Sequence, residues 1–199
     1  MKKWLIPVLV ILAVVFGFYN FTKGFNNTAV ALNENVAESW ANVETSYQRR
    51  TDLIGNLVNT VQGAADFESG TLVGVIEARA KATSVSIDPS NITPAQLEQF
   101  NKVQGGISGA LKSLLVTVER YPELKANQNF LKLQDELAST ENQILTARTR
   151  FNENTKPYNN HVKKFPNSIL AGWFDFEGKP YFQSEAGAEK PVKVDFSKK

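Results

Sequence analysis

The chain has 199 residues, 42% hydrophobic and 21% charged, with no cysteine, one histidine and one methionine. That length predicts one domain with a substantial core, and the lack of cysteine excludes disulfides, thiol chemistry and thiolate-ligated metals. Lys and Arg number 22 against 20 Asp and Glu; without Lys2 and Lys3 the basic count is also 20, so the domain is neutral and lacks the basic field that nucleic-acid binding needs.

Trp4 to Phe18 carries no charge, and Tyr19-Asn20-Phe21-Thr22 extends the apolar stretch to Lys23. This window of about nineteen residues approaches the twenty or so that cross a bilayer as a helix. Trp4 and Tyr19 stand at its ends, where amphipathic rings favour the headgroup region, and Pro7 falls in the first turn, where its missing N–H costs little. A cleaved signal peptide requires a small-residue cleavage site, and Val15-Phe16-Gly17 is a poor one. A buried core helix would not begin with two lysines and then carry no charge. The expectation is a retained signal anchor over residues 1–22. Lys2, Lys3 and the amino terminus outweigh Lys23, which predicts a cytoplasmic N-terminus and an extracytoplasmic domain.

From Phe25 the spacing changes to an amphipathic helix: Phe25, Ala29, Leu32, Val36, Trp40, Val43, Tyr47, Ile54, Val58 and Val61 recur at three, four or seven. About forty residues of helix reach roughly 60 Å, and only Gly24 opposes continuity with the anchor. Gly63 and Asp66-Phe67-Glu68 predict a break, then a shorter helix from about Glu68 to Ala82 carrying Leu72, Val73, Ile76 and Ala80. Ser84 to Asn91 is a loop. Thr93-Pro94-Ala95-Gln96 opens a third helix with a capping box and proline at its first position. Its heptad is Leu97, Phe100, Gln104, Ile107, Leu111, Leu114, Val118 and Tyr121; Gly105 and Gly106 weaken it and permit a close helix approach. Tyr121-Pro122 ends it. A fourth helix runs from near Asn127 to about Lys164 with the seam Phe130, Leu133, Leu137, Glu141, Ile144, Arg148, Phe151, Tyr158, Val162 and Phe165, and Pro157 inside this run should kink it or end it early. The tail, residues 166–199, has glycine, proline and the aromatics Trp173, Phe174, Phe176, Tyr181, Phe182 and Phe196. A short hairpin around Glu177-Gly178-Lys179 is limited by Pro180, and the expectation is that the aromatics strap the tail onto the bundle. The expected fold is all-α: a long antiparallel up-and-down four-helix bundle, residues 23–165, after an N-terminal transmembrane helix and before an irregular C-terminal tail.

The chemistry-bearing motifs are few. With His161 alone, Glu-x-x-His pairs, His-Glu-x-x-His and paired haem histidines are impossible, and a solvated surface residue is expected there. No nucleophile–base–orienter set is visible, and Gly105-Gly106 lacks the context of a phosphate loop. The anomaly is charge on helix seams. Arg50 continues the first stripe beside Asp52 and Asn56; Glu141 and Arg148 occupy seam positions one heptad apart; Glu77 and Arg79 flank the second helix's apolar face. Unpaired buried charge is costly, so these residues should pair across helices. Loss of Arg50 or Glu141 should then cost about 3–5 kcal/mol.

Asn33-Glu34-Asn35-Val36, Ala41-Asn42-Val43 and Arg49-Arg50-Thr51-Asp52-Leu53-Ile54-Gly55-Asn56-Leu57-Val58 resemble the signature of the bacterial LemA family. Glu77-Ala78-Arg79-Ala80, Tyr121 to Asn127, Phe130 to Leu137, Thr140-Glu141-Asn142, Ala147-Arg148 and Phe165-Pro166 extend the resemblance along the chain. Gly55 departs from the family's usual proline, and Pro157 interrupts a helix that is normally unbroken. The resemblance implies a membrane-anchored helical bundle and no established activity. Its matched polar residues are Arg49, Arg50, Asp52, Asn56, Glu77, Arg79, Glu141 and Arg148, which add Arg49 to the seam residues already singled out by spacing.

The leading expectation is a non-enzymatic envelope module that binds partner proteins through its bundle, without metal, cofactor or nucleic acid. An extracytoplasmic sensor or ligand-binding bundle signalling through a separate partner is the alternative. An enzyme using seam carboxylates comes third. A cavity at Arg50, Asp52 and Glu141 would favour the sensor, and the heptads leave self-association open.

Overall fold

A computed structural model describes residues 4–63 and 69–183 of the chain. The predicted break at Asp66-Phe67-Glu68, and Phe196, lie outside them. The described chain is all-α. Its elements are α1 (Leu5–Gln62), α2 (Ser69–Thr83), a 3-10 turn (Pro89–Asn91), α3 (Pro94–Val118), α4 (Pro122–Lys125), α5 (Gln128–Lys163) and α6 (Asn167–Trp173).

The apolar segment and the first amphipathic stripe form one helix of 58 residues, about 85 Å long at 1.5 Å per residue. Every residue from Trp4 to Phe21 is exposed, and the stretch is long and apolar enough to cross a membrane. Burial begins at Phe25 and follows the predicted stripe through Ala29, Val36, Trp40, Val43, Tyr47, Ile54, Val58 and Val61, with Leu32 partly buried. The line between residues 22 and 23 therefore falls inside a continuous helix.

α5 runs antiparallel to α1, as three contacts show: Phe25 meets His161, Trp40 meets Phe151, and Arg50 meets Glu141. α2 returns along α1 and α3, with Arg79 at Thr51 and Thr71 at Thr117. α3 follows α1's direction, with Phe100 against Trp40 and Gln104 against Arg50. Two apolar clusters result. One gathers Phe25, Trp40, Tyr47, Phe100, Phe151, Tyr158 and Phe182; the other gathers Ile54, Leu57, Val61, Leu72, Ile107, Leu114 and Phe130. Along α1 they are separated by Arg50 and Thr51, both buried.

Helix starts follow local chemistry. Thr93 Oγ1 accepts from Gln96 N at 3.3 Å while Thr93 N donates to Gln96 Oε1 at 2.9 Å, closing the capping box. Asn127 Oδ1 accepts from Asn129 N and Phe130 N at 2.9 and 3.2 Å and caps α5.

Several expectations are corrected. α5 passes through Pro157 and ends only at Lys163, so the proline does not end the helix early. Phe165 lies beyond α5 and is 81% exposed, not on the seam. On α2 the buried positions are Leu72, Val75 and Ala82, with Arg79 half-buried among them, while Val73 and Ile76 face solvent. Arg79 stands on the packed face with its Nε at the Thr51 carbonyl and its guanidinium against Gly55, and the apolar row that is buried runs through Val75 instead of Val73 and Ile76. No hairpin forms among the described tail residues, which pack on the helices instead.

Gly105 and Gly106 face open space rather than a neighbouring helix: an added Cβ at either meets nothing within 4 Å. Gly106→Ala should therefore stabilise the protein by about 0.5–1 kcal/mol through helix propensity alone, read as an increase in the urea midpoint.

Candidate functional site

Arg50 occupies an apolar-stripe position, and its side chain is 3% exposed. A buried guanidinium must find acceptors, and two other helices supply them. Nη1 donates to Glu141 Oε1 on α5 at 3.0 Å, while Nη2 donates to the Gln104 backbone carbonyl on α3 at 3.3 Å and to Gln104 Oε1. The guanidinium also lies 4.9 Å from the centre of the Tyr47 ring. Nε is buried without a partner. One cation thus ties three helices at the level where the two apolar clusters part.

Beside it is a cavity of about 220 Å³, bounded by Tyr47, Gln104, Ser108, Glu141, Arg148 and Gln183 among others. Glu141 is 48% exposed, so its carboxylate is hydrated as well as paired. Burial pushes the Tyr47 phenol above its usual 10.0, against the opposing pull of Arg148 and Arg50.

Arg148 closes the cavity from the tail side. Nη2 donates to the Gln183 carbonyl at 3.1 Å, and the guanidinium lies 4.7 Å from the centre of the Phe182 ring. The tail reaches this point because Asp175, at φ 59°, adopts the left-handed conformation at the end of α6, which a short polar side chain tolerates. From there the chain climbs along α5 between two asparagines one heptad apart. Asn159 exchanges hydrogen bonds with both the N–H and C=O of Lys179, each at 2.8 Å. Asn152 does the same with Phe182 at 2.9 and 2.8 Å.

Lys179 extends the strap to the loop after α2: Nζ donates to the Pro89 and Ser90 carbonyls at 3.1 and 2.8 Å. Burial holds its pKa below the usual 10.5, with Asp88 opposing. An amine with a lowered folded pKa takes up fewer protons than in the unfolded chain, so stability should rise as pH climbs from the folded pKa towards 10.5. Tyr158, whose pKa is raised by burial and by Glu177, gives the opposite slope above 10.0. Urea midpoints taken below pH 10 should show the rise, and Lys179→Gln should flatten it.

The remaining seam residues do not join Arg50. Arg79 Nε donates to the Thr51 carbonyl at 3.0 Å, and its guanidinium lies over Gly55, whose added Cβ would stand 3.5 Å from Nη2. Asp52 and Asn56 are exposed beside Arg79 on a separate shallow depression. Arg49 and Glu77 face solvent. The predicted single network is thus an Arg50–Glu141 pair near Arg148, a separate Arg79 contact, and four exposed residues. His161 is not a solvated surface residue: its ring stacks on Phe25 at 4.9 Å, and Nε2 lies 3.0 Å from the Phe25 carbonyl. Among the described residues, no group of three or more His, Cys, Asp or Glu is placed to hold a metal ion.

Sequence reasoning placed Gln104 on the seam without seeing that it receives Arg50, and it missed Asn152, Asn159 and Lys179. The usable signal was the heptad spacing of the two asparagines in mid-helix, where asparagine is intrinsically poor.

Residues 39–196 match the model of the LemA family, a range that begins downstream of the apolar segment. Among curated proteins, the chain is similar to magnetosome protein MamQ 2 of Paramagnetospirillum magneticum, 26% identical over 185 residues that cover 83% of this chain and 67% of the relative. Magnetosome protein MamQ of Magnetospirillum gryphiswaldense is 25% identical with the same coverage of both chains. Protein LemA of Metamycoplasma hominis is 22% identical over 181 residues, 90% of this chain and 78% of the relative. The matched range takes in α2 to α6 and most of α1's buried stripe, and the chain belongs to the LemA family.

Proposed function

We propose that this protein is a non-enzymatic, membrane-anchored interaction module of the bacterial envelope, which binds partner proteins through its helical bundle outside the cytoplasm. The observation that carries the reading is the continuity of α1, whose exposed apolar segment runs without a break into the stripe that organises the core. Similarity to proteins named for the magnetosome is compatible with membrane association. The Lys2, Lys3 and Lys23 flanks support the orientation. Photo-crosslinkers placed in living cells at Val116 and Leu145, 65% and 64% exposed, should give discrete, position-dependent adducts. Adducts no stronger than background at both sites would overturn the reading.

The cavity beside Arg50 favours a second reading, an extracytoplasmic sensor that takes a small ligand and signals through a separate partner. Its lining holds two guanidiniums and one carboxylate, a net positive site suited to a small carboxylate or phosphate compound. Asp52 lies outside it, so only part of the expected constellation supports this reading. Calorimetric titration of the wild type and of Arg148→Gln separates the two: saturable binding lost in the variant supports the sensor, and no heat from either supports the module. Unchanged phenotypes in folded Asp52→Asn and Glu141→Gln would dispose of an enzyme built on those carboxylates.

A further inference from the structure

The end of the bundle that faces the apolar segment is itself apolar. Trp173, on α6, packs edge-on against Phe18 with ring centres 6.3 Å apart. Leu170 and Ala171 of the same helix are buried, while Ile169 and Trp173 are 50% and 68% exposed and Phe165, just before α6, is 81% exposed. Ile169 and Trp173 stand four residues apart, on one face of the helix.

The position of that face is fixed by α1. Phe18 lies about 20 Å along the helix from Leu5, inside a stretch matched to a hydrocarbon layer of about 30 Å. A side chain in contact with Phe18 is therefore near the edge of that layer, where an indole ring is favoured. With that stretch in a bilayer, the exposed Trp173 ring at this depth has lipid, not bulk water, as its neighbour, and Ile169 shares its face of α6.

We propose that Phe165, Ile169 and Trp173 form a second membrane-contact surface, which seats the base of the bundle in the bilayer interface beside the span. The proposal rests on the reading of α1 as membrane-spanning. Exposed Lys23, Lys163 and Lys164 exceed exposed Asp175 and Glu177 by a single charge, so electrostatic attraction to the surface is small. The attraction is burial of apolar surface and persists in high salt.

The chain has no cysteine, so single spin labels report one site each. The full chain, reconstituted in vesicles of phosphatidylcholine and phosphatidylglycerol, would carry labels at Phe165→Cys or Ile169→Cys. Leu12→Cys serves as the span control and Ser139→Cys, exposed on α5, as the water control. Collision with oxygen relative to a water-soluble nickel chelate should be several-fold higher at positions 165 and 169 than at 139, in both low and high salt. Values at 165 and 169 equal to that at 139, with 12 still in lipid, would overturn the second contact and leave the span intact. A water-like value at 12 would overturn the span and the second contact together.

Discussion

Arg50→Ala should lower stability by about 2–5 kcal/mol, the range for truncating a long side chain that fills a buried position. The variant strands the buried Gln104 amide oxygen, leaves Glu141 without its cation and opens a void between the two apolar clusters. Glu141→Ala should cost less, about 1–2 kcal/mol, because the lost carboxylate was already half in water and the cavity allows a water to replace it at Nη1. The structure thus replaces the symmetric expectation from sequence with an asymmetric one. Arg50→Met, which restores bulk without charge, should recover part of the loss while leaving Gln104 unsatisfied. Chemical denaturation of the detergent-solubilised full chain, followed by circular dichroism, gives all three values. Equal losses for Arg50→Ala and Glu141→Ala would show that no water takes the carboxylate's place at Nη1.

Phe182→Ala should cost about 3–5 kcal/mol, the range for truncating a core phenylalanine. Phe182 is 6% exposed. Its ring stacks on Trp40 with centres 6.0 Å apart, meets Phe151 edge-on at 5.4 Å, and carries Arg148 on its face. Since the same stretch of chain holds Lys179 against the loop at Pro89 and Ser90, truncation should loosen both ends of the strap. Hydrogen exchange should report faster amide exchange at Lys179 and Phe182, both now held by asparagine side chains. Tyr181→Ala, at a 41% exposed neighbour, should change stability by no more than about 0.5 kcal/mol. Comparable losses at 181 and 182 would show that the strap is held by its backbone bonds rather than by the Phe182 ring.

The long helices were legible because each buries a single stripe, and spacing alone reveals a stripe. Phe25 to Val61 and Leu97 to Val118 are read correctly for that reason. On α2 the packed face runs through Leu72, Val75 and Ala82, and a second apolar row through Val73 and Ile76 leaves periodicity alone without a choice between them. Pro157 was overweighted: the breaking tendency of one residue was outweighed by tertiary packing that buries Phe151, Tyr158 and Val162 around it. At the site, spacing found Arg50, Glu141 and Arg148 because a charge where leucine belongs stands out. It grouped them with Asp52, Asn56 and Glu77 because proximity in sequence says nothing about which side of a helix faces a partner. The asparagine clamp was illegible for a different cause: both partners are backbone groups of a segment with no period of its own.

With the N-terminal stretch of α1 in a bilayer, as proposed above, its continuity leaves the helical domain without a joint at the membrane. A spanning helix meets a thinner or thicker bilayer by changing its tilt, and a linker would absorb that change before it reached the domain. Here the lever extends from Leu5 to Gln62. On that reading a small rotation within the lipid becomes a displacement of the far end, growing in proportion to distance along the helix, so bilayer thickness bears on the lean of the whole domain.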